Sequence, residues 1–247
     1  MFSEYGQISS ELYEFTKPVG TSLGGDLEYY WNLLKDIDGH ILEAGVGTGR
    51  LLIPYIQKGL KVDGVDLSQD MLDICRYNCD KANISADLYL QDLQNLNIDK
   101  RYDAIIMPTG SFCLLPNREA VINTLKSFKR HLSENGKIIV DIGMPINFKE
   151  GERHTNICKL SDRVGIIYTI ESLKMDWKEQ RTCYINRYEK WEDNQLIKTE
   201  VSEFNLNWYG VEEFKLILES VGYKNINYIW DYGTSGDGEI ATFEAYI

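Results

Sequence analysis

A doubly wound α/β sheet is the fold class this sequence predicts, and three observations predict it. Short apolar strand-like runs alternate with helix-like segments over residues 40–143, the first run leads directly into a glycine-rich turn, and after about residue 144 the rhythm changes to period-2 segments with no helices between them. With 247 residues, 43% of them hydrophobic, the chain is long enough to bury a full core.

In order, HILEAG (40–45) reads as a short apolar strand. TGRLLIPYIQKG (48–59) reads as a helix, with apolar spacing at Leu51, Leu52, Tyr55 and Ile56, a tolerable Pro54 near its start and Gly59 as its stop. KVDGVDL (61–67) is the second strand, after which Ser68 caps a helix whose Asp70 lies near the positive end of the dipole. ADLYLQDL (86–93) and YDAIIMP (102–108) are the third and fourth strands, NREAVINTLKSFKRHL is a helix capped by Asn117, and GKIIVDIG (136–143) is the fifth strand. RVGIIYTIE (163–171), TCYINRYEKW (182–191) and IKTEVSEFNLNW (197–208), the last two linked by EDNQL, predict a hairpin or three-stranded antiparallel insert. GVEEFKLILESVG is then a helix stopped by Gly222, and KNINYIWDY and EIATFEAYI are two strands joined by GTSGDG.

Composition removes several function classes. No run approaches the roughly 18 apolar residues of a membrane span, and the first residues lack the parts of a signal peptide, so a cytoplasmic protein with no membrane partner is expected. The formal net charge of -12, with basic residues interspersed among acids, makes nucleic acid an unexpected partner. Five cysteines, an odd number without C-x-x-C pairs, predict buried free thiols rather than a disulfide framework or a zinc ribbon, and no metal is expected.

The glycine turn carries the chemistry. Gly45, Gly47 and Gly49 follow a strand and precede a helix, where backbone N–H groups and the helix dipole face a ligand with no Cβ in the way. Asp66 ends the next strand 17 positions beyond Gly49, where a carboxylate accepts hydrogen bonds from ribose hydroxyls. A dinucleotide fingerprint needs G-x-G-x-x-G, and the third glycine position counted from Gly45 is Arg50. The pattern here, E-x-G-x-G-x-G, suits a small zwitterion and thioether and offers no pyrophosphate cradle.

The stretches ILEAGVGTGRLLIPYIQKGLKVDGVDLSQDML, LQDLQNL, YDAIIMPTGSF and LKSFKRHLSENGKIIVDI resemble the class I S-adenosylmethionine-dependent methyltransferases, specifically the small-molecule members of types 11 and 25. The resemblance covers most of the chain. It implies a Rossmann-like seven-stranded sheet with its last strand antiparallel and an antiparallel β insert after strand 5. It divides the chain into a helical lid (1–36), a cofactor-binding domain (37–143 and 209–247) and an insert acting as a substrate cap (144–208). The cofactor is S-adenosylmethionine. Gly45, Gly47 and Gly49 would wrap its methionine portion and Glu43 would orient its amino group. Asp66 would hold the ribose hydroxyls with Leu67 beside the adenine, Asp92 would accept from the exocyclic amine, and Leu93 would offer its N–H to the ring. Met107 opens the 107–110 stretch, which would line the passage to the acceptor.

Two departures narrow the acceptor. The fourth motif reads Met-Pro-Thr-Gly, not the Asn/Asp-Pro-Pro-aromatic of DNA and protein-glutamine amino methyltransferases, and the lysine, aspartate, lysine, glutamate set of ribose methylators is missing. Tyr5 and Tyr13 are spaced to share a face of the lid helix and close over the sulfonium by cation-π attraction. Positioning the acceptor in line is the main catalytic task, followed by exclusion of water and removal of the acceptor's proton. The expected catalytic residues are Tyr13 and His154, the latter in the loop entering the insert, while His40 and His131 read as structural. The lid and the insert are expected to select the substrate; Tyr168, Trp177, Tyr184, Tyr188, Trp191, Trp208 and Tyr209 make that region aromatic, and for most of them packing of the insert onto the sheet is the expected role, with ligand contact the alternative. Arg187 suits an acceptor carboxylate or phosphate, or an ion pair with nearby acids. The expectation is methyl transfer to O or N of a small molecule by a monomer or homodimer. An NAD-dependent oxidoreductase and a non-catalytic S-adenosylmethionine-binding protein are the alternatives.

Overall fold

The computed structural model describes residues 5–247, so residues 1–4 of the expected lid lie outside the described residues. Two helices come first, α1 (Gln7–Thr16) and α2 (Asp26–Leu34). The alternating part follows as β1 (His40–Ala44), α3 (Leu52–Gln57), β2 (Lys61–Asp66), α4 (Gln69–Ala82), β3 (Leu88–Leu90), β4 (Tyr102–Met107), α5 (Arg118–His131) and β5 (Leu132–Gly143). Four long strands, β6 (Arg153–Lys159), β7 (Val164–Asp176), β8 (Arg181–Glu192) and β9 (Gln195–Asn207), then precede α6 (Val211–Val221), β10 (Lys224–Trp230) and β11 (Ile240–Tyr246).

The main sheet has seven strands in the order β10-β11-β5-β4-β1-β2-β3, with β11 antiparallel to both neighbours, as the resemblance implied. Side chains alternate across it as the period of a strand requires. Ile41, Ala104, Ile106 and Ile139 pack with Tyr30, Leu34, Leu52, Leu72 and Cys75 from α2 to α4. Leu42, Ile105, Ile138, Val140 and Ile142 pack on the opposite face with Val121, Leu125, Phe128, Phe214 and Leu218 from α5 and α6. Both faces are covered, which is why these strands read as continuous apolar runs. The winding reverses at β1, which pairs with β2 on one side and β4 on the other. A crevice is expected at the carboxyl ends of those strands.

Several local expectations change. The helix expected over 48–59 begins only at Leu52, because Gly47 and Gly49 hold positive φ and keep the preceding residues in a turn. The 86–93 strand shrinks to Leu88–Leu90, and Asp92 instead caps a single 3-10 turn by accepting from the Gln94 N–H at 2.9 Å. Ser68 and Asn117 cap α4 and α5 as expected, accepting from Met71 and Ala120. The insert is a four-stranded antiparallel sheet, β6-β7-β8-β9, rather than three strands. Strand β6 escaped notice because RHTNICK lies on an edge, exposed at all but one position, and so lacks an alternating apolar pattern. The EDNQL link is a tight turn in which Asp193 (φ 48°) and Asn194 (φ 64°) take left-handed conformations. Of the five free thiols, Cys75, Cys79 and Cys113 are buried, whereas Cys158 and Cys183 are only half-buried. Among the described residues no helix is long and apolar enough to cross a membrane.

Candidate active site

A cleft of about 610 Å³ opens where β1, β2 and β4 end. Its wall is built from Gly45 and Gly47, from Asp66 and Leu67, from Asp92 and Leu93, from Met107 and Thr109, and from Tyr5, Tyr13 and Lys17 of the lid. All the expected cofactor residues except Glu43 and Gly49 therefore line one space; Glu43 is buried in β1 just before the turn, and Gly49 closes the turn on the side of α4.

Gly47 and Gly49 have different reasons. A Cβ on Gly47 (φ +55°) would stand in open space, on the cleft side, whereas a Cβ on Gly49 (φ +84°) would lie 2.8 Å from Cys75 Sγ and 3.2 Å from Ile53 Cδ1. Gly47 keeps the wall bare and Gly49 lets the turn pack on α4. Because α3 starts late and has only six residues, the cleft wall is the turn itself and not a helix end.

Asp66 fastens this turn: Oδ2 accepts from the Gly47 N–H at 2.8 Å and Oδ1 from the Ser68 N–H at 2.9 Å. Burial raises its pKa while these donors lower it. Leu67 is 73% exposed although it borders the cleft, an apolar edge open to a flat ring. Behind the turn, burial pushes the Glu43 carboxyl up to about 8, with Arg50 opposing and Asp26 and Asp66 adding to the rise. Its Oε2 has no hydrogen-bond partner among the described residues.

Tyr13 faces the cleft from α1, but Tyr5 precedes the helix instead of sharing its face. The two rings still meet edge to face at 6.4 Å, and Phe204 of β9 supports Tyr5 at 6.1 Å. Burial raises the Tyr13 pKa, and the Arg50 charge opposes that rise.

Sequence reasoning missed three residues. Lys17 lines the cleft with its ammonium 4.7 Å from the Tyr13 ring centroid and no carboxylate within ion-pair reach among the described residues. Burial, then the Arg50 charge, lowers its pKa. Arg50, noted only as a missing glycine, is buried and joins Asp26 Oδ2 (2.6 Å), the Thr21 carbonyl (2.7 Å) and Thr109 Oγ1 (2.8 Å). Asp141 is buried beneath Thr109 and accepts its N–H at 2.6 Å. These residues lie far apart in sequence and belong to no contiguous motif, although a lysine ending the lid helix and an aspartate inside an apolar strand were signals that could have been followed.

Other expected residues are not brought to the cleft. His154 lies on edge strand β6, not in a loop, with its side chain 62% exposed and 3.4 Å from Glu152. Arg187 is exposed on β8 and faces Glu189 at 3.9 Å, the ion-pair alternative. None of the seven insert aromatics lines the cleft. Tyr168 stacks on Tyr188, Trp177 meets Trp208 and Tyr184 meets Phe148, while Tyr209 is buried against Phe214. His131 is held by the Ser127 carbonyl at 2.8 Å in the last turn of α5, a structural role.

The sequence model of the family described as a methyltransferase domain matches residues 41–136, from β1 into β5. YqeM of Bacillus subtilis (strain 168) is 32% identical over 106 residues, 42% of this chain and 42% of that protein, so the match spans less than half of that relative's length. Among solved structures, an S-adenosylmethionine-dependent methyltransferase from Clostridium acetobutylicum ATCC 824 superposes with a TM-score of 0.78 at 19% identity, covering 96% of this chain and 97% of that one. The sugar N-methyltransferase KedS8 from Streptoalloteichus sp ATCC 53650 gives a TM-score of 0.78 at 16% identity, covering 100% of this chain and 96% of that one. At such identities the likeness is one of fold, and it takes in the two N-terminal helices and the four-stranded sheet.

Proposed function

We propose that this chain, which carries a class I methyltransferase domain, moves the methyl group of S-adenosylmethionine to an oxygen or nitrogen of a small-molecule acceptor in the cytoplasm. One observation carries the reading: among the described residues, a buried carboxylate oxygen of Glu43 has no hydrogen-bond partner and the ammonium of Lys17 has no ion-pair partner, and both belong to the surroundings of a turn whose Gly45 and Gly47 border the cleft. That combination fits a zwitterionic amino-acid end: Glu43 takes the ammonium, Lys17 the carboxylate, and the turn lets the chain between them approach the backbone. Asp66 takes the ribose hydroxyls with its remaining lone pairs, Leu67 packs on the adenine, and Asp92 and the Leu93 N–H meet the ring edge.

The cofactor supplies a methyl group already attached to a good leaving atom, so the protein's work is to place the acceptor and exclude water. Tyr13 and Tyr5 close the cleft from above with two aromatic faces suited to a cation. His154 stands apart from the cleft, which supports a mechanism of positioning with no histidine base. The four-stranded sheet acts on the cleft through the lid that rests on it, and selection of the acceptor falls to the lid and the 111–116 stretch. An NAD-dependent reading has less support, because Arg50 occupies the third glycine position with its guanidinium committed to Asp26.

Calorimetric titration with S-adenosylmethionine, S-adenosylhomocysteine and NAD tests the assignment. The expected result is micromolar binding of the two sulfur compounds, none of NAD, and a loss of roughly 100-fold in Asp66→Ala. Absence of binding by either sulfur compound removes the reading, and tight binding without transfer to any amine or hydroxyl acceptor favours the non-catalytic alternative.

A further inference from the structure

Thr109 stands in the cleft wall with φ +60°. Left-handed backbone crowds Cβ against the following carbonyl, and a β-branched residue avoids it more than most. Something must hold Thr109 there, and three groups do: Asp141, Arg50, and Asp26, whose Oδ2 accepts from Thr109 Oγ1 at 3.3 Å. From below, Asp141 Oδ2 accepts the Thr109 N–H at 2.6 Å. The same carboxylate is fixed by Tyr232 Oη on Oδ2 (2.7 Å) and by Tyr30 Oη (2.8 Å) and Thr242 Oγ1 (2.6 Å) on Oδ1. From the side, Arg50 Nη2 donates to Thr109 Oγ1 while it holds Asp26. The supporting groups come from β5, α2, the β10–β11 link, β11 and the glycine turn, and they converge on a single residue whose backbone would otherwise relax. Neither Asp141 nor Arg50 lines the cleft itself.

We propose that Asp141 is a positioning residue for the transfer reaction, holding Thr109, with Arg50 as a side clasp, in the left-handed conformation that fixes the cleft wall between the glycine turn and the 111–116 stretch. The inference rests on the function proposed above, since the cleft must be where the cofactor binds for its wall to matter. Support of this kind predicts a dependence on the residue supported: glycine adopts the same conformation without help.

A double-mutant cycle between Asp141→Asn and Thr109→Gly therefore tests it, read by S-adenosylhomocysteine affinity and by melting temperature. Asp141→Asn is expected to weaken binding about tenfold and Thr109→Gly less than about threefold, and the double variant should bind within about threefold of Thr109→Gly alone. General damage from the lost carboxylate would persist in the glycine background. Wild-type affinity in Asp141→Asn, or losses that simply multiply in the double variant, overturns the proposal. If the unaltered protein binds no S-adenosylhomocysteine, the cofactor reading fails by itself. The melting temperatures then decide: Thr109→Gly must restore part of what Asp141→Asn loses, and additive losses overturn the support role.

Discussion

Burial holds the Glu43 carboxyl at about 8, against an ordinary value of 4.5, with Arg50 opposing and Asp26 and Asp66 reinforcing the rise. The folded chain therefore keeps a proton there that the unfolded chain has lost. Stability is full below the unfolded value and declines as pH climbs through the folded one. Asp141, raised by burial to about 6, acts in the same direction, but its share is spent near its own folded value. From pH 6 to 8 the remaining slope belongs mainly to Glu43. Glu43→Gln should flatten the denaturation midpoint over that range and stabilise the ligand-free protein at pH 8 by on the order of 1–3 kcal/mol. It should also cost about tenfold in S-adenosylhomocysteine affinity, because the ammonium loses its counter-charge. A midpoint curve parallel to that of the unaltered protein would place the titration elsewhere. Glu43, Asp66 and Asp92 were readable as acids at fixed distances from a glycine turn. Arg50 and Asp141 matter through partners dozens of residues away, and Lys17 through a cleft whose other walls are as distant in sequence, so no local pattern announces them.

The element that separates binding from folding is the turn after β1. Alanine at Gly49 must accept φ +84° and a Cβ 2.8 Å from Cys75 Sγ on α4, so chemical denaturation should show a loss of about 2–4 kcal/mol. Alanine at Gly47 meets only φ +55° with empty space ahead of it. Its stability loss should stay near 1–2 kcal/mol, while the added methyl protrudes into the cleft and cuts cofactor affinity by more than about tenfold. Equal effects on binding from both alanines would contradict these separate roles. Elements buried on both faces, β1, β4 and β5, were legible because burial writes itself as an apolar run. Strand β6 was not, being an edge strand with nearly all its side chains in solvent. The shortened α3 reflects two positive-φ glycines, a constraint that helical periodicity does not register.

Across the whole molecule, the cleft opens at the strand ends of the seven-stranded sheet, and α1, the lid of the proposed function, rests on the four-stranded sheet. Ile8 and Leu12 of α1 pack on Ile166 with Tyr168 and Tyr188 beside them. Glu200 Oε2 accepts the Ile8 N–H at 2.5 Å, Lys190 pairs with Glu11 at 2.6 Å, and Lys198 donates to Gln7 at 2.8 Å. The apolar seat is small and the polar ties are partly exposed, so the lid should open more readily than the sheet beneath it. Nothing in the sequence pointed to this seat, because its two sides are separated by most of the chain, whereas the alternation of strands and helices made the main sheet legible throughout. Glu200→Ala combined with Lys190→Ala should speed amide exchange across residues 7–16 about tenfold and leave β1, β4 and β5 unchanged. S-adenosylhomocysteine should leave that variant faster at a little-altered association rate, since a looser lid mainly affects escape. Exchange that accelerates equally in lid and sheet would mean that the helices and the cleft open as one unit, and the insert would then stabilise the fold as a whole instead of governing access to the cleft.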